Sequence, residues 1–90
     1  MGAIIELYQR YGELDPAERA EANEALLKAL REGDEDKRFD ALAIIDEFSL
    51  REAIPDLRAL SARLQFDNSP GAPFEVAKIG RILEKLQAAR

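Results

Sequence analysis

Asp15-Pro16-Ala17-Glu18 is a tetrapeptide with few uses other than starting a helix. Aspartate is a preferred N-cap, and proline at the first helical position gives up an N–H that would be unpaired anyway. Glutamate at the third position completes a capping box. Ala22, Leu26, Ala29 and Leu30 then recur at helical spacing, and Gly33 follows them. The pattern predicts a helix from Pro16 to about Glu32 that stops at Gly33 as the C′ residue. Glu21, Glu24, Lys28 and Arg31 fall on its opposite, solvent side.

The rest of the chain reads the same way. No run alternates β-branched and polar residues as a strand would. A short first helix is expected over about Ala3–Gly12, with Ile4, Leu7, Tyr8 and Tyr11 on one stripe and a Glu6/Arg10 pair beside it. Asp34-Glu35-Asp36 places negative charge where the next helix begins, and that helix is predicted from about Glu35 to Phe48. Its apolar residues (Ala41, Leu42, Ile44, Ile45, Phe48, with Phe39 and Ala43 opposite) cover nearly all sides, so it belongs in the middle of the core. Ser49-Leu50-Arg51-Glu52 matches a capping box, but a helix starting there would bury Pro55 in its interior at a cost of about 3 kcal/mol. A start near Glu52 or Ala53 avoids this and lines up Ala53, Leu57, Leu60 and Leu64, leaving Arg51, Arg58 and Arg63 mostly exposed. Gln65–Pro73 is irregular, and a last helix is expected from Pro73 or Phe74 with Glu75 in its first turn. Val76, Ile79, Ile82, Leu83 and Leu86 face inward, and Gly80 on that side is costly for a helix unless a neighbour packs tightly there. Lys78, Arg81 and Lys85 form a basic stripe on the other face.

Composition narrows the chemistry. The 90 residues suit one all-α domain, residues 1–90, with five helices in antiparallel pairs, either a short α-solenoid or a helical bundle. With no His and no Cys, imidazole bases, thiol nucleophiles and the usual zinc sites are excluded. No glycine-rich phosphate loop is present, and the Asp34–Asp36 cluster lacks the spaced oxygen ligands of a calcium loop. A non-enzyme without cofactor or metal is therefore expected. Absence of Cys fits a reducing compartment, and no apolar run is long enough to span a bilayer, so a cytoplasmic location is expected.

Asp34-Glu35-Asp36-Lys37-Arg38-Phe39-Asp40-Ala41-Leu42-Ala43-Ile44-Ile45, followed by Arg51-Glu52-Ala53-Ile54-Pro55-Asp56-Leu57, resembles a HEAT repeat. The likeness is to the short phycobilisome-lyase-type repeats of bacteria. It is carried by the acidic cap, the early arginine, the Ala/Leu positions and Ala-Ile-Pro-x-Leu. Glu75–Leu83 is similar to the first helix of a following repeat, so the chain could hold two and a half hairpin repeats. The resemblance implies a structural, protein-binding stack whose second helices, Pro16–Glu32 and Glu52–Leu64, line one face.

On that reading the chain is a non-catalytic interaction module or scaffold, and its partner is another protein. Glu21, Glu24, Lys28 and Arg31 with Arg58 and Ala62 form the ridge to test first. Phe66 is the second candidate: an aromatic in a polar loop either folds back, the commoner outcome, or is offered to a partner. Charge is uneven, with ten acidic and four basic residues up to Asp36 (−6) and eight acidic and nine basic beyond it (+1). A small acidic inhibitor, an immunity protein or antitoxin occupying a basic toxin, is the alternative. Nucleic acid is a weaker expectation, because only Lys78, Arg81 and Lys85 make a basic footprint. A short stack leaves end faces that a second copy could cover, so a homodimer is compatible with the sequence.

Overall fold

The computed structural model describes residues 10–88. Four α-helices account for most of them: α1 (Pro16–Glu32), α2 (Glu35–Glu47), α3 (Ile54–Leu64) and α4 (Ala72–Ala88). The predicted first helix, with Ile4, Leu7, Tyr8 and the Glu6 side of its ion pair, lies outside the described residues. At its expected end, Tyr11–Glu13 form a 3-10 turn rather than α-helix.

α1 begins as its sequence requires. Asp15 accepts the Glu18 N–H at 2.8 Å, and the Glu18 carboxylate accepts the Asp15 N–H at 3.1 Å. Gly33 ends the helix for a different reason from the one expected. It is extended (φ −76°, ψ 160°), not left-handed, and a Cβ there would lie 2.6 Å from the Ala29 carbonyl oxygen. Close approach, not positive φ, selects glycine. Asp34 then caps α2 by accepting the Lys37 N–H at 3.0 Å.

α2 ends in a Schellman turn without glycine. The Leu50 N–H reaches the Ile45 carbonyl and the Ser49 N–H points to that of Asp46, with Ser49 left-handed at φ 51°. An L-residue there carries a steric cost that glycine escapes. Ser49→Gly is therefore expected to stabilise the fold by about 1 kcal/mol in a urea titration. The Ser49 hydroxyl caps nothing. Arg51–Ala53 form a 3-10 turn that leads into α3, whose first turn holds Pro55. The late start avoids the proline conflict as predicted.

α4 begins at Ala72, slightly ahead of the expected Pro73. Gly80 corrects the sequence reading more sharply. It is exposed and a Cβ there would meet nothing within 4 Å, so no close neighbour requires it. Glycine in an open helix interior costs about 1 kcal/mol relative to alanine, and Gly80→Ala is expected to return that amount as a raised denaturation midpoint.

The helices form two hairpins laid side by side, with α1 against α2 and α3, and α3 against α4. α2 and α4 run parallel, bridged in the same chain order by Arg38 with Glu75, Phe39 with Lys78, and Asp46 with Lys85. The smallest principal extent is 16 Å, which is two helix layers. Leu26, Leu30, Leu42, Ile44, Ile45, Leu57, Leu60, Ile79 and Leu86 fill the space between them. No described helix is long and apolar enough to cross a membrane.

Candidate functional site

Parallel α2 and α4 begin at the same end of the molecule, and there the most constrained polar contact is found. Glu75, in the first turn of α4, is 0 % exposed. Its carboxylate accepts Arg38 Nε at 2.6 Å and Nη2 at 3.0 Å, while Arg38 Nη1 donates to the Gly33 carbonyl at 3.0 Å. One planar guanidinium thus ties α4, α2 and the α1–α2 turn together. The hydrogen bonds donated to the Glu75 carboxylate hold the Arg38 guanidinium above its ordinary pKa. Such a bidentate pair is the condition under which two charges tolerate burial.

Sequence reasoning assigned Glu75 only a first-turn role, although its position carried a signal. Ala72, Glu75, Ile79, Ile82 and Leu86 are the buried residues of α4, and their spacings of three and four residues put Glu75 on the apolar stripe itself. Arg63 is exposed, as expected, and donates from Nη2 to the Leu30 carbonyl at 2.9 Å. There it satisfies one of the orphan acceptors at the end of α1.

On this rigid end sit the exposed aromatics. Phe66, which follows α3, is 87 % exposed, and Phe74 in the first turn of α4 is 76 % exposed. The commoner expectation that Phe66 folds back is therefore corrected. Its loop is pinned a residue later instead: Asp67 accepts the Ser69 N–H at 2.7 Å and the Ser69 hydroxyl at 2.5 Å, which hold its carboxyl below the usual range. Further on, Gly71 lies against the Glu35 carboxylate, which would have to swing aside for a Cβ there. Phe39 on α2 is 38 % exposed, with the Lys78 ammonium 5.9 Å from its ring centre. Lys78 lies one helical turn after Phe74, so the three features form a continuous strip across α2 and α4.

The other expected residues are distributed as follows. Glu21, Glu24, Lys28 and Arg31 on α1 and Arg58 and Ala62 on α3 are all exposed, on helices that pack against each other. Arg31 Nε turns back to the Leu27 carbonyl at 3.3 Å. The basic stripe is not a free face. Lys85 Nζ donates to the Asp46 carbonyl at 2.7 Å and carboxylate at 3.0 Å, Lys78 lies on Phe39, and Arg81 stays exposed.

A shallow groove of about 420 Å³ is lined by Leu14, Pro16, Arg19, Ala20 and Asn23. Behind it Tyr11 donates to Asn23 Oδ1 at 2.5 Å, and Asn23 Nδ2 donates to Glu52. Arg19 lies over the Tyr11 ring, which packs on Phe48 with centroids 4.6 Å apart. Burial, aided by Glu52, pushes the Tyr11 hydroxyl above its ordinary pKa. This network joins the Tyr11 turn to α1 and to the 3-10 turn before α3. Among the described residues, no three His, Cys, Asp or Glu side chains are grouped to hold a metal ion. Comparison with family models, curated proteins and solved structures finds no match to this chain.

Proposed function

We propose that the chain is a non-catalytic protein-binding module, a short HEAT-like stack of helical hairpins that engages its partner through the end carrying Phe66 and Phe74. The observation behind this reading is the exposure of those two rings, 87 % and 76 %, on a frame clamped by Arg38 and Glu75. Covering one exposed phenyl ring is worth about 1.5–3 kcal/mol, and large aromatics dominate the energetics of interfaces. The stacked reading is supported by the two-layer thickness and by the pairing of α1 with α3 and of α2 with α4. Scaffold repeats present such faces to partner proteins.

Affinity capture with three forms of the chain tests the proposal. They are the wild type, Phe66→Ser/Phe74→Ser, and a ridge variant Glu24→Ala/Lys28→Ala/Arg58→Ala. A stoichiometric partner is expected to be kept by the ridge variant and lost by the phenylalanine variant, each ring contributing about 2 kcal/mol. Both rings are exposed, so the melting curve should move little. The opposite pattern would transfer binding to the α1/α3 face, and the absence of any stoichiometric partner would overturn the reading.

A further inference from the structure

Resting on that protein-binding reading, we infer that the aromatic end takes a basic, apolar-anchored segment of another protein, with Lys or Arg flanking side chains that cover Phe66 and Phe74. The charges around the rings carry the inference. Asp36 and Glu35 lie one helical turn before Phe39 on α2, Asp34 caps the same helix, and Asp67 adjoins Phe66. The Asp67 carboxylate is close enough to Arg38 to act on its pKa, which places the loop and the start of α2 together.

Of the cations of this end, Arg38 is neutralised by Glu75, whereas Lys37, Lys78 beside Phe39 and Arg63 at the Leu30 carbonyl keep their charges and are outnumbered by Asp34, Glu35, Asp36 and Asp67. Helix dipoles do not offset this surplus. The amino ends of α2 and α4 lie here, as do the carboxyl ends of α1 and α3 that precede them through short connections, so their partial charges oppose each other.

Exposed rings at an end where free carboxylates outnumber free cations select their occupant. A second copy docking symmetrically would set the same carboxylates against one another. Phosphate-rich partners meet the same repulsion. A basic segment instead gains steering from the carboxylates and burial from the rings.

The test uses the full chain and three synthetic helical peptides that share one Leu/Phe stripe and carry Lys, Gln or Glu at every polar position. The Lys peptide should bind at least about tenfold more tightly than the Gln peptide in dilute buffer, with the gap closing near 1 M salt as screening shortens to about 3 Å. Phe66→Ser/Phe74→Ser should abolish binding of both, and Asp36→Lys/Asp67→Lys, checked for unchanged helicity, should turn the preference towards the Glu peptide. Equal binding of Lys and Gln peptides, still lost in the phenylalanine variant, would overturn the charge inference and leave the aromatic surface standing. Binding of the Lys peptide that ignores Phe66 and Phe74, or no binding by any peptide, would overturn both. A concentration-dependent dimer abolished by Phe66→Ser would assign the patch to a second copy and overturn the basic partner.

Discussion

Replacing Glu75 by alanine is expected to cost the fold about 3–5 kcal/mol, measured as a fall in unfolding free energy by urea titration. Stabilities of small domains are about 5–15 kcal/mol in total, so the variant should be partly unfolded at ambient temperature or close to it. The loss comes less from the missing pair than from what is left behind. Arg38 is only 16 % exposed on its side chain and would keep its charge with just the Gly33 carbonyl as partner. Glu75→Gln retains the shape and one acceptor and should lose less. Arg38→Met/Glu75→Leu should recover most of the stability, because an apolar pair of similar volume often equals a buried ion pair. A loss below about 1 kcal/mol for Glu75→Ala would show that the clamp contributes little to the fold.

Leu57→Ala should cost about 3 kcal/mol by the same measurement. Leu57 is fully buried on α3, the helix on which both α1 and α4 pack. Truncation there leaves a cavity in the core on the helix that α1 and α4 share. Ala62→Ser on the exposed side of the same helix should change stability by no more than about 0.5 kcal/mol. Equal effects at the two positions would mean that α3 is not the shared spine of the core.

Local rules explain why much of the architecture was readable in advance. α1 matches its expected span because an N-cap, a proline and a glycine act within a few residues of each helix end. The delayed start of α3 likewise follows from Pro55 alone. The candidate site was less legible, for physical reasons visible at individual residues. Phe66 sits in a loop held by Asp67 with Ser69, and neighbouring residues in sequence do not encode whether a ring returns to the core. Gly80 is expected on the inward side, yet the angular step of one residue from Ile79 turns it out to solvent. Lys78 and Lys85 look like a free basic face until Phe39 and Asp46 are brought beside them from another helix.

What the amino-acid order determined by itself was the helical class, the main helix boundaries and the exclusion of imidazole and thiol chemistry, because these depend on residue type and on contacts within a few positions. Only the tertiary structure decided that Glu75 is buried against Arg38, that two basic side chains are spent on α2, and that Phe66 and Phe74 face solvent. The Arg38–Glu75 partners are 37 residues apart. Pairing over such a distance depends on how whole helices pack, and no local periodicity carries that information.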